Sequence, residues 1–152
     1  DGEPLYPGTC RKNPSTLNPQ PPTQHNWRFR IPDDEAIEFV DGHFGPQKYV
    51  AGKDFGDFPV WQKNDLPSYQ LAVVVDDAAM GITEVVRGAD LMVSTARQLL
   101  LYHALNLSAP TFFHCELMCD ENGERLAKRH DAMSLRSLRE QGKSPEDLRA
   151  DW

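Results

Sequence analysis

Apolar and polar positions along the chain fall into two regimes that meet near Leu66. Before it, Trp27-Arg28-Phe29-Arg30-Ile31 alternates with a period of two, which predicts a half-buried strand carrying Trp27, Phe29 and Ile31 on one face. The stretch 36–63 has glycines at 42, 45, 52 and 56 with aromatics scattered among them, and predicts short strands joined by turns. From 69 to 75 the pattern becomes a nearly continuous apolar run, rich in valine and stopped by Asp76-Asp77, which predicts a buried parallel strand. Residues 82–88 predict a second strand with a glycine exit. Between 90 and 105, Met92, Ala96, Leu99, Leu100 and Ala104 recur at helical spacing, and Asn106 is a C-terminal stop. Residues 111–118 predict a third strand, followed by the turn Asp120-Glu121-Asn122-Gly123. The polar remainder predicts helical pieces, one of them opened by Ser144-Pro145-Glu146-Asp147 with serine as N-cap.

Strand, strand, helix, strand is half of an open α/β sheet, so the expected fold is α/β: the second half of a doubly wound parallel sheet, preceded by an irregular Pro/Gly-rich region. No phosphate-binding glycine loop that could open a first half is visible. Four regions follow: a Pro-rich loop over 1–35, a small insertion subdomain over 36–65, the half sheet over 66–130 and the start of a helical region over 131–152. Seven of the twelve prolines lie in the first 32 residues, and the segment 18–22 is incompatible with helix or central strand. With 16 basic and 23 acidic residues the net charge is −7, which argues against non-specific nucleic-acid binding through a broad basic surface and leaves room for a local contact with a folded RNA. Three cysteines are too sparse for a disulfide scaffold and place the chain in a reducing compartment, cytoplasmic or organellar. No apolar run approaches the roughly 20 residues of a membrane span.

Arg87 sits at the carboxyl end of a predicted strand, where open sheets bind ligands. It can grip a carboxylate with two parallel hydrogen bonds or form a surface ion pair. Tyr69, at the mouth of the neighbouring predicted strand, can hydrogen-bond the same ligand or be an ordinary strand aromatic. The pair Asp76-Asp77 can orient Arg87, bind a metal, or end a strand. Lys128-Arg129-His130 can neutralise developing phosphate charge or be a solvated basic run. Cys115 and Cys119 lie about 13 Å apart on a strand at roughly 3.3 Å per residue, too far to share a metal, and are expected as buried or neutral thiols. Cys10 stands in a turn-rich loop, a weak metal signal.

Taken together, the run 69–77, then Gly81-Ile82-Thr83-Glu84-Val85-Val86-Arg87-Gly88-Ala89-Asp90 and Ser94-Thr95-Ala96-Arg97-Gln98, resemble the second half of the catalytic domain of class I glutamyl-tRNA synthetases. Arg125-Leu126-Ala127-Lys128-Arg129 is similar to the degenerate KMSKS signature of that class, and Tyr6-Pro7-Gly8-Thr9-Cys10-Arg11 extends the likeness to the start. Ala89-Asp90-Leu91 resembles the short paralogue that activates glutamate with ATP and attaches it to the queuosine base of tRNA(Asp). The resemblance implies glutamate, ATP with Mg2+, and tRNA(Asp) as substrates and partners. It implies Tyr69 and Arg87 as glutamate-binding residues, Asp76 and Asp77 as their support, and Lys128 with Arg129 as catalytic contacts to ATP. Tyr6 and Cys10 correspond to two ligands of a Zn2+ site whose two upstream cysteines do not occur here. The HIGH-type signature does not occur either, so the chain is expected to be a piece of a larger enzyme, silent alone. A glutamyl-tRNA synthetase piece, or a non-catalytic synthetase-derived module binding RNA or protein, are the alternatives.

Overall fold

The computed structural model describes residues 5–9, 11, 25–119 and 135–150, and the chain divides into two units, Asp1–Cys115 and Glu116–Trp152. In the first unit, β1 (Trp27–Phe29) and β4 (Phe58–Trp61) form an antiparallel ribbon. A second sheet has the order β3-β2-β6-β5, built from β2 (Ala36–Asp41), β3 (Gly45–Val50), β5 (Glu84–Gly88) and β6 (Thr111–Cys115). The hairpin β2–β3 is antiparallel, while β6 runs parallel to both β2 and β5. Parallel neighbours need a crossover. Helix α2 (Met92–Ala104), entered through a 3-10 turn at Ala89–Leu91, supplies it between β5 and β6.

The period-two reading of 27–31 holds for Phe29 and Ile31, which face the core, and fails at Trp27, where the ladder shifts register and leaves the indole exposed. The run 69–75 is not a strand. It forms the first turns of α1 (Tyr69–Met80), so the order is helix, strand, helix, strand, and Asp76 and Asp77 belong to the helix rather than to a strand end. Six apolar residues in a run of seven satisfy either period, so the run alone does not decide the matter. Leu71, Val74 and Ala78 turn to the core at intervals of three and four, while Val75 is 45% exposed. The boundary residues carried the signal: twelve helical residues lie between Ser68 and Gly81, a glycine in the left-handed region (φ 67°). Its N–H donates to the Ala78 carbonyl and that of Ile82 to Asp77, a paired closure of the last turn. Asn106 (φ 55°) ends α2 in the same way, with N–H bonds from Asn106 to His103 and from Leu107 to Tyr102.

One apolar cluster joins the ribbon, the hairpin, both helices and the parallel strands: Ile31, Ile37, Phe55, Phe58, Val74, Ala96, Leu100, Leu101, Tyr102 and Phe112 all belong to it. At the end of β2, Gly42 donates its N–H to the Phe112 carbonyl (2.8 Å), and a Cβ there would stand 2.8 Å from the Phe113 ring. The β6 alternation turns Phe112 and His114 inward and Cys115 outward. Cys115 and Cys119 are accordingly exposed free thiols, not buried ones.

Arg11 clamps the start of this unit. Its Nε and Nη2 donate to the Asp57 carboxylate at 2.7 and 2.5 Å, Nη2 also reaches the Ile31 carbonyl, and Nη1 pairs with Asp33. Burial pushes the Asp57 pKa up, but the Arg11 bonds and the Ile31 amide override it and hold the carboxyl below its ordinary value.

The second unit contains α3 (Leu135–Glu140) and α4 (Pro145–Ala150). The predicted helix start is present as a reciprocal box: the Asp147 N–H donates to Ser144 Oγ at 3.2 Å, and the Ser144 N–H to the Asp147 carboxylate at 2.8 Å. The predicted loop at 18–22 and the turn at 120–123 lie outside the described residues.

Candidate active site

Arg87 emerges from the carboxyl end of β5 toward the buried face of α2. The helix is buried on more than its apolar stripe: Ser94, Thr95 and Gln98 are buried as well as Ala96, Leu100 and Leu101. Polar side chains inside a protein need partners, and here they find each other. Arg87 Nη2 donates to Thr95 Oγ1 at 2.7 Å and to Gln98 Oε1 at 2.9 Å, and its Nε donates to His114 Nε2 at 3.2 Å. Gln98 Nε2 donates to Gln70 Oε1 (2.9 Å), and Gln70 Nε2 to Ser94 Oγ (3.0 Å). On the other side, His114 Nδ1 lies 2.6 Å from Asp41 Oδ2. Asp41 Oδ1 collects the N–H groups of His43, Phe44 and His114. Burial pushes the Asp41 pKa up, but the Phe44 amide, the His114 side chain and the amides of His43 and His114 hold it at about 2.

The structure brings Tyr69 and Arg87 together. Tyr69 is the first residue of α1, 52% exposed, and its side chain interacts electrostatically with the guanidinium. Burial lowers the Arg87 pKa, and the Tyr69 contact and the charge of Asp77 work against that fall. The charge of Asp77 reaches Arg87, while Asp76 is on the exposed side of the helix. The expected fork of two parallel bonds from Arg87 to a ligand is unavailable, because Nε and both N–H bonds of Nη2 are committed internally. Nη1 remains, with Tyr69 beside the guanidinium. The Tyr102 hydroxyl is buried with no hydrogen-bond partner among the described residues and feels the charges of both Asp77 and Arg87.

Next to Tyr69 opens a cleft of about 510 Å³ lined by Tyr6, Arg28, Asp57, Ser68, Gln70 and Arg97, among others. Ser68 Oγ is buried there with no hydrogen-bond partner among the described residues. Tyr6 presents its ring to the Arg28 guanidinium, 4.4 Å above the centroid. Structural zinc takes four ligands. Tyr6 offers one phenolic oxygen, Cys10 lies outside the described residues, and among the described residues no group of three or more His, Cys, Asp or Glu is placed to hold a metal. The described residues therefore do not compose a zinc site. Lys128 and Arg129 lie outside the described residues as well.

Sequence reasoning missed Asp41, His114, Gln70, Thr95 and Gln98. Thr95 and Gln98 lie off the Ala96–Leu100 stripe, on a side of α2 that the polar residue types mark as exposed and the structure buries. Asp41 and His114 are 73 positions apart and carried none.

The β-α-β unit holds a cation at the carboxyl end of its first strand, the place where open α/β sheets bind their ligands. The chain belongs to the tRNA synthetases class I (E and Q), catalytic domain, whose family model matches residues 8–150. It is 47% identical over 152 residues to the Glutamyl-Q tRNA(Asp) synthetase of Symbiobacterium thermophilum, an alignment covering 95% of this chain and 45% of that protein. It is 40% identical over 148 residues to Glutamate–tRNA ligase 2 of Nitrosococcus oceani, covering 95% of this chain and 31% of the relative. Among solved structures, the glutamate tRNA ligase of Elizabethkingia meningosepticum in complex with its amino acid superposes with a TM-score of 0.65 at 28% identity, over 82% of this chain and 24% of that one. The chain thus spans less than half the length of these relatives.

Proposed function

We propose that the full-length protein carrying this chain activates glutamate with ATP and transfers it to tRNA, and that this chain supplies the grip on a glutamate carboxylate. The observation that carries the reading is Arg87: a cation fixed by three internal hydrogen bonds, with Tyr69 in electrostatic reach, in a chain of the E and Q synthetase family. Class I synthetases generally use ATP and Mg2+. The glutamate α-carboxylate attacks the α-phosphorus, the bond to the bridging oxygen breaks, and pyrophosphate leaves with both electrons of that bond. Arg87 and Tyr69 hold and orient the amino acid, and Asp77 and the buried network hold Arg87. Lys128 and Arg129 are assigned to the charge developing on pyrophosphate, by their match to the signature loop. The queuosine base of tRNA(Asp) is the favoured acceptor, supported by the names of relatives 40–47% identical to the chain. tRNA(Glu) is the second reading, supported by the likeness to glutamate–tRNA ligases. The cytoplasm is the proposed compartment, resting on the sparse cysteines.

Pyrophosphate exchange by the full-length protein with ATP and single amino acids tests this. Exchange with glutamate and not with glutamine or aspartate is expected, and exchange without tRNA supports the queuosine reading. A requirement for tRNA(Glu) favours the second reading. Absence of exchange under both conditions overturns the enzyme and supports a non-catalytic module.

A further inference from the structure

Arg87 is steered from behind by two residues that do not face the cleft. Its Nε–H points at Nε2 of His114, a side chain with no exposed surface. That nitrogen accepts the bond only with its lone pair, so the ring proton belongs on Nδ1, where it is aimed at Asp41 Oδ2. Asp41, 2% exposed, is itself immobilised by three backbone N–H groups on Oδ1. The chain of command runs from the β2 turn through β6 to β5, across the parallel join of Asp41 with Phe112.

We propose that Asp41 and His114 are positioning residues for the carboxylate grip: Asp41 fixes the His114 tautomer, and His114 fixes the direction of Arg87 Nε, so that Nη1 is the nitrogen left for the ligand. The proposal rests on the glutamate reading of Arg87 given above. It is independent of the signature loop and of any metal. A guanidinium held only at Nη2 would pivot about that nitrogen, and the N–H bonds of Nη1 would no longer have one direction.

The test uses the full-length protein with three substitutions whose predicted effects differ. His114→Gln reaches the position of Nε2 with an amide oxygen and should keep the Michaelis constant for glutamate within about threefold of the parent. His114→Asn reaches only the position of Nδ1 and should raise it roughly tenfold or more, the size expected when a hydrogen bond to a charged group is lost, with the constant for ATP unchanged. Asp41→Asn should behave like His114→Asn. Its one oxygen is claimed by three backbone N–H groups, so its NH2 faces the imidazole and drives the ring proton to Nε2, donor against donor at Arg87. Nitrogen-15 spectra of the histidine rings, assigned by the signal lost in His114→Gln, should show Nδ1–H in the parent and Nε2–H in Asp41→Asn. An Nε2–H tautomer of His114 in the parent overturns the proposal even if His114→Asn and Asp41→Asn do not fold. Equal loss in all three variants, or unchanged glutamate constants in folded His114→Asn and Asp41→Asn, also overturns it. Arg87→Lys serves as the control for the underlying reading. If it leaves the glutamate constant unchanged, the carboxylate assignment fails, while the tautomer result still judges the Asp41–His114–Arg87 chain.

Discussion

Replacing Arg87 with alanine separates binding from folding, and both effects can be sized from the contacts. On the ligand side, the substitution removes the N–H bonds of Nη1 and the positive charge. A hydrogen bond to a charged group is worth about 1.5–3 kcal/mol, and about 1.4 kcal/mol corresponds to a factor of ten. The Michaelis constant for glutamate should therefore rise by roughly 10- to 150-fold, and the constant for ATP should stay within about threefold. On the folding side, His114 Nε2, Thr95 Oγ1 and Gln98 Oε1 all lose a donor. Against that, the cost of holding a half-buried cation disappears and water can enter the vacated space, so a loss of about 1–2 kcal/mol is expected. Arg87→Lys keeps the charge but replaces a planar fork with a point charge, and should lie between parent and alanine. The assay is pyrophosphate exchange by the full-length protein across a glutamate titration, with thermal unfolding as the folding control. A folded alanine variant with an unchanged glutamate constant refutes the argument.

Arg11→Met should destabilise the full-length protein by about 2–4 kcal/mol, because it takes both guanidinium bonds from the buried Asp57 carboxylate and leaves it the Ile31 amide and the charge of Arg30; thermal unfolding measures this, and the glutamate constant should not change. Gly42→Ala should cost about 1–3 kcal/mol, since its Cβ would meet the Phe113 ring at 2.8 Å, and the same unfolding assay reads it. Acidification should lower the unfolding midpoint: Asp41, held at about 2, and Asp57, also depressed, bind protons more weakly folded than unfolded. Their contribution is complete above the unfolded carboxylate value near 3.9 and is lost as pH falls through the folded values. A midpoint that stays flat from about pH 5 to 2 would contradict both assignments.

What the sequence showed was local. The α2 stripe except for exposed Ala104, the Asn106 stop, the serine N-cap of α4, and the strands predicted at 82–88 and 111–118 and found at Glu84–Gly88 and Thr111–Cys115, are each set by residues within a turn or two of one another. The run at 69–75 misled because valines fill a buried helix as readily as a strand, and only its boundaries, Ser68 and Gly81, told the two apart. Tyr69 and Arg87 were found by residue type and motif, and their meeting follows from α1 and β5 being adjacent in sequence. The rest of the site is a long-range construction. Asp41 meets His114 only because β6 lies beside β2, and Arg11 meets Asp57 across 46 positions, so no window of sequence contains either pair.

The two glutamines behind Arg87 have a consequence for the direction of hydrogen bonding through this part of the fold. An amide can present either end, but Gln98 must turn its oxygen to the cation. Its NH2 group then has to donate to the Gln70 oxygen, and the Gln70 NH2 to Ser94. One positive charge at the end of a strand therefore sets the sense of every link in the row, from β5 through α2 to α1 and back to α2. Take the charge away and the two amides become free to reverse together, so that the same atoms, scarcely displaced, form a row that points the other way.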